Sequence, residues 1–223
     1  RTITVQVVGD VNDEANENFR VNLANPSNAA VTDALGVGTI TDDDATPSLS
    51  SAAVSTAEAT GVIVFTVTLS AASGRTVTVA AGTADDTAIA GGSAASGGQD
   101  YLTRNVSLAF APGETTKTLA VGINNDALDE PNEQFRFTLS GAVNATIATP
   151  AVPGTITNDD TAPTISVGDL SHIEGTGAAT TAAVPVTLSA PSGRTITVTF
   201  ATGAPPSGTV ATAGTDYTAR TAT

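Results

Sequence analysis

Two carboxylate clusters recur along this chain, and carboxylates at short spacing can hold a hard cation or carry protons. One cluster is Asp126, Asp129, Glu130 and Glu133, followed downstream by Asn158-Asp-Asp160. The other is Asp10, Asp13, Glu14 and Glu17, followed by Asp42-Asp-Asp44. At ~5 Å and an effective dielectric of about 20, two such charges repel by about 3 kcal/mol. Groups of this kind either spread into solvent or share a cation. Calcium suits them, because it takes about 6–8 oxygen ligands from flexible loops and needs neither His nor Cys. Paired carboxylates also hydrolyse glycosides. Here, however, they recur with the rest of the repeat, which fits a structural site better than a catalytic one. His172 is the only histidine and Thr56 stands at the matching place upstream, so no acid–base partner set forms around it. Nothing resembles a nucleophile elbow, a phosphate loop or a zinc site. An enzyme is not expected.

The elements that must position these acids belong to an unusual chain. The formal net charge is −14 and the pI about 4.1, with Lys117 the only lysine. Nucleic acid is thereby excluded as a partner, since it demands clustered Lys and Arg, and anionic membrane surfaces are excluded likewise. No apolar run approaches the ~20 residues of a membrane helix, and no membrane insertion is expected. Aromatic residues make up only 4%, with no Trp, Cys or Met, so the core must be built from Val, Ile, Leu and Ala with a few Phe. Cores of that kind suit small β-sandwiches helped by metal ions or neighbouring domains. Low lysine and absent cysteine fit an exported protein that does without disulfides.

Internal repetition organises the whole chain. Arg1-Thr-Ile-Thr-Val5 through Phe19 overlays Lys117-Thr-Leu-Ala-Val121 through Phe135, an offset of 135 − 19 = 116. Gly38-Thr-Ile-Thr-Asp-Asp-Asp44 falls on Gly154-Thr-Ile-Thr-Asn-Asp-Asp160 at the same offset. Ser73-Gly-Arg75 matches Ser192-Gly-Arg194 at 119, and Asp100-Tyr101 matches Asp216-Tyr217 at 116 again. The spacing predicts the second half of a repeat over 1–44, a complete repeat over 45–160 and the first half of another over 161–223. Short Pro-containing linkers are expected at 45–47 and 161–163, and Arg1 is expected to lie inside a longer chain. Val62-Ile-Val-Phe-Thr-Val-Thr-Leu69 alternates with period two, placing Ile63, Phe65, Val67 and Leu69 on one face. Thr76-Val-Thr-Val79 and Phe135-Arg-Phe-Thr-Leu139 do the same, and no helical period appears. The expected class is all-β, built as tandem sandwiches. The Ala, Gly and Ser run at 88–98 is expected to be a flexible loop.

These motifs together resemble the Calx-β family. The resemblance rests on Asp126, on Glu130-Pro-Asn-Glu133-Gln-Phe135, on Gly154-Thr-Ile-Thr-Asn-Asp-Asp160, and on Gly98-Gln-Asp-Tyr101 with Gly214-Thr-Asp-Tyr217. It implies seven-stranded Greek-key, immunoglobulin-like β-sandwiches with calcium (Ca2+) in loops at one end. Matched motif by motif, the implied ligands of the complete repeat are Glu58, Asp100, Asp126, Glu130, Asp159 and Asp160. In the preceding half repeat they are Asp10, Glu14, Asp42, Asp43 and Asp44. The sequence departs from the family at Asn125, Gly9 and Asn158, where further aspartates are usual. One or two weak, partly occupied sites are therefore expected in place of a multi-ion cluster.

The functional expectation is a structural repeat of a bacterial extracellular filament or surface stalk or adhesin, stiffened by weak calcium sites at domain ends. The alternative is a calcium-dependent module recognising a glycan or a protein, against which the scarcity of aromatic residues argues. Neighbouring repeats of the same or of identical chains are the expected partners, a homopolymer included. The expected location is extracellular or on the cell surface. Phe19, Phe135 and Phe137 are read as core. Tyr101 and Tyr217 are read as sheet-edge residues with satisfied hydroxyls, and the sequons at Asn105 and Asn144 as chance matches.

Overall fold

Alternation in the strand β5 (Val62–Leu69) is the clearest link from sequence to structure. In a computed structural model, which describes residues 1–91, 99–204 and 207–222, Ile63, Phe65, Val67 and Leu69 are buried while Val62, Val64 and Thr66 are exposed. The chain forms two units. One comprises Arg1–Asp126 with Asn132–Asp159, and the other Ala127–Pro131 with Asp160–Thr223. The Ala/Gly/Ser run expected as a loop falls, for residues 92–98, outside the described residues.

The first unit opens with a hairpin of β1 (Glu17–Asn22) and β2 (Leu35–Ile40), paired antiparallel. The complete repeat follows as two sheets. β3 (Ser48–Ser51) pairs with β5, and β5 with β8 (Thr116–Gly122). β6 (Val77–Asp85) and β7 (Asn105–Phe110), which intervene in sequence, lie in the other sheet with β4 (Val54–Ala57), β9 (Glu133–Val143) and β11 (Ala151–Thr157). The short β10 (Thr146–Ile147) joins the first sheet through parallel pairing with β3, as β11 joins the second through parallel pairing with β4. The entering and leaving passes are thus each divided between the two sheets, and the all-β sandwich read from the sequence is what forms. One expected linker differs. Pro47 is fully buried and its carbonyl accepts the Thr146 amide at 2.9 Å, so it starts the fold.

Aromatic rings form the centre of the core. Phe65 stacks on Phe137 at 4.4 Å and meets Phe135 edge-on at 5.9 Å, while Tyr101 stacks on Phe135 at 4.3 Å. Few aromatic residues suffice because they are gathered in one place, where stacked and edge-on pairs add to burial.

The second unit carries two small antiparallel pairs, β12 (Ile165–Val167) with β13 (Val186–Leu188) and β14 (Phe200–Ala201) with β15 (Thr221–Ala222). Within it His172 contacts the Thr180 hydroxyl at 2.9 Å. No helix among the described residues is long and apolar enough to cross a membrane.

Candidate metal centre

The centre of the first unit is built on Glu58. β4 stops at Ala57 and a single 3-10 turn, Glu58–Thr60, follows. Gly61 closes it, donating its amide to the Glu58 carbonyl at 2.9 Å in a left-handed conformation (φ 70°) that glycine adopts without strain. The Gly61 carbonyl in turn accepts the Ile123 amide at 3.0 Å, which fastens the turn to the end of β8. Glu58 is left buried, 6% exposed. Beyond β8, the Asn124 amide donates to the Asp100 carbonyl at 2.9 Å and its side chain to the Gln99 carbonyl at 2.6 Å. That fixes the loop leading to Asp126. At the exit of β11, the Asn158 amide donates to the Asn132 side chain at 3.0 Å, just before Asp159.

Asp126 and Asp159 each bring a carboxylate oxygen within 4.8 Å of one of Glu58. Calcium–oxygen bonds of about 2.3–2.6 Å place two ligands of one ion at most ~5.2 Å apart, so each of these two approaches to Glu58 is short enough to be spanned by a cation. The donors are all oxygen, and one of them is buried. The residues therefore fit a hard divalent ion. Glu130 and Asp160, both half-buried, are carried by the second unit. Asp100 also makes a backbone contact. Its carboxylate accepts the Ile89 amide at 2.6 Å, closing a loop, as Asp216 accepts the Thr212 amide at 2.7 Å in the second unit.

In the preceding half repeat the expected acids crowd together electrostatically. The Glu14 carboxyl is held above its usual value, first by Asp10, then by loss of water, Glu17, Asp42 and Asp44. Asp44, half-buried, is pushed up by loss of water and by Asp42, Asp43 and Asp10. The Glu14 amide donates to the Asp42 carboxylate at 3.1 Å, and the Asp42 amide to the Asn16 side chain at 2.9 Å. Asp43 is exposed. Residues 1–44 contain no counterpart of Glu58.

Family comparison accounts for the full length. The model of the Calx-beta domain matches residues 1–44, 41–162 and 157–223. The chain belongs to the Calx-beta family. No curated protein matches. Solved structures with similarity include the apo-form Calx CBD1 domain, at 22% identity and a TM-score of 0.46, covering 52% of this chain and 100% of that one. The calcium binding domain CBD12 of CALX1.1 is 24% identical with a TM-score of 0.43, covering 48% of this chain and 42% of its own. CBD12 from CALX1.2 is 21% identical with a TM-score of 0.46, covering 58% and 53%.

The Calx-beta motifs have local physical causes in this chain. Gly154 of Gly-Thr-Ile lies opposite Phe135 in the β9–β11 register, and a Cβ there would come within 2.7 Å of the Phe135 ring and 2.8 Å of the Phe65 ring. Gly38 lies opposite Phe19 in the same way, with the ring 2.3 Å from a Cβ. The glycine is the hollow for the phenylalanine. Sequence reasoning missed Asn132 and Asn16, the residues that hold Asn158 and Asp42. Their identity at the 116 offset was the signal available (132 − 16 = 116). It also placed Asp13 and Asp129 in the clusters that either spread into solvent or share a cation, without giving either a separate role. Both are buried, at 3% and 7% exposure, and both face an arginine.

Proposed function

We propose that this chain is a non-catalytic, calcium-binding stretch of tandem Calx-beta repeats serving as a structural element of an exported surface stalk or filament. The observation that carries the reading is that Asp126 and Asp159 each bring a carboxylate oxygen to ion-spanning distance of buried Glu58. Repetition, acidity and the near absence of lysine support a solvated extracellular array whose natural counterions are divalent. Glu58, Asp126 and Asp159 would hold the ion, which when bound neutralises their mutual repulsion. The residues themselves fix the turn, the loop and the strand exit that meet there. Affinities of extracellular modules run at about 10⁻⁴–10⁻³ M, which makes the site a brace at ambient calcium.

Isothermal titration with calcium tests this. Wild-type protein should bind in that range, and Glu58→Gln should weaken binding about tenfold or more without unfolding the sandwich. Absent binding, or equal binding by the variant, removes the calcium reading.

A further inference from the structure

Each unit contains the same clasp. In the first, the Ser73 hydroxyl donates to the Asp13 carbonyl at 3.0 Å and lies 3.3 Å from its carboxylate, and the Gly74 amide donates to that carbonyl at 3.1 Å. The Ser73 hydroxyl also accepts the Arg75 amide at 3.0 Å, which curls the turn. Arg75 then reaches the Asp13 carboxylate at 3.8 Å and is oriented by the side-chain oxygen of Asn144. In the second unit, Ser192 donates to the Asp129 carbonyl at 3.1 Å, Gly193 to the same carbonyl at 3.1 Å, and the Arg194 amide to Ser192 at 3.1 Å. Arg194 meets the Asp129 carboxylate at 3.3 Å and the Glu130 carbonyl. In both cases the serine and the aspartate make an isolated parallel bridge.

The glycines are required by the clasp itself. A Cβ on Gly74 would lie 2.4 Å from the Glu14 carboxylate, and one on Gly193 would lie 2.6 Å from Glu130 Cγ. Neither glycine has the left-handed backbone that would otherwise explain it. The two aspartates stand 116 residues apart (129 − 13) and the two serines 119 apart (192 − 73), so the partners stay matched despite three residues of length change. A buried carboxylate that draws a hydroxyl and a guanidinium is costly to leave unpaired.

We infer that the Ser-Gly-Arg turn of each repeat is a plug for the Asp-Glu loop of the repeat before it, a joint whose partner is another repeat of this chain and which closes without a metal ion. The contacts that close it run between a serine, a glycine and an arginine on one side and an aspartate on the other. Its standing is separate from calcium binding, since neither Asp13 nor Asp129 belongs to the converging carboxylates.

Amide hydrogen exchange on the whole chain in chelator tests the joint. The Gly74 and Arg75 amides should be protected, and Gly74→Val should lower that protection at least tenfold while Val121 and Phe135 remain protected. Adding Glu14→Ala, which clears the space beside the new side chain, should restore it. Should Gly74→Val disturb the core, Ser73→Ala must show the same local loss, because it removes only the hydroxyl. Protection that appears only with calcium, that survives Gly74→Val and Ser73→Ala, or that Glu14→Ala fails to restore overturns the proposal. A protein that binds no calcium but keeps this protection loses the function proposed above and keeps the joint.

Discussion

Gly154 shows how one missing atom shapes the repeat. The Phe65 and Phe135 rings occupy the space its side chain would need, and both are pinned by further aromatic contacts to Phe137 and Tyr101. Neither ring can retreat without breaking a stack, so Gly154→Ala should overpack the core and cost about 1–3 kcal/mol. Urea unfolding checks this. The midpoint should fall with the slope unchanged, whereas an unchanged midpoint would show that the hollow is not filled. The same close approach recurs at Gly38 and Phe19, which is why the closing Gly-Thr-Ile and the phenylalanine travel together at one offset.

Single elements are tied by few groups, and Tyr101 ties three segments. It bridges to Ala90 and Ile123 and donates its hydroxyl at 2.5 Å to Asp85, at the end of β6. Burial and then that hydrogen bond hold the phenol far above its ordinary value. The neutral form is therefore the one the fold stabilises, an advantage present below pH ~10 and lost only as pH climbs toward the raised value. Tyr101→Phe should cost about 1 kcal/mol, since Asp85 is exposed and keeps the Ala90 amide at 3.0 Å. Thermal unfolding near neutral pH measures it, and no loss would mean the hydroxyl merely points at solvent. At this scale the sequence is readable where period two is unbroken, as in β5 and in the start of β9. It is silent on the division of β3 from β4 and of β10 from β11, because alternation names a face and not a sheet. Glu58 became visible only through the family resemblance, since a lone glutamate after a strand carries no local signal. Asp100 was likewise legible only through the resemblance, since the motif does not show that its carboxylate also accepts the Ile89 amide.

Across the molecule, 22 acidic residues outnumber eight basic ones, and ion pairs such as Arg75–Asp13, Lys117–Glu114, Arg136–Asp86 and Arg194–Asp129 engage some of them. Negative charge is stored at sites such as Glu14, whose carboxyl is raised first by Asp10, and Asp44, whose carboxyl is raised first by loss of water and then by Asp42 and Asp43. A raised carboxyl means that the folded state favours the proton. The stability it contributes is complete below the unfolded value and is lost as pH rises through the folded one. In chelator at low salt, melting temperature should therefore climb as pH is lowered from 7 toward ~5. Glu114 has the opposite sign, since Lys117 at 2.8 Å and the Ala111 amide lower its carboxyl. Its contribution is present at neutral pH and fades only below the usual carboxylate range, so the gain should reverse in stronger acid. Calcium acts on the same repulsion as protons do. With an affinity of about 10⁻⁴–10⁻³ M, ~1 mM calcium should add about 0.4–1.4 kcal/mol at pH 7, and it should flatten the rise toward pH 5. Calorimetry across pH, with and without calcium, separates the cases. If melting temperature falls monotonically from pH 7 in chelator, or if calcium shifts it equally at pH 5 and pH 7, the acidic clusters are spread in solvent and share no ion.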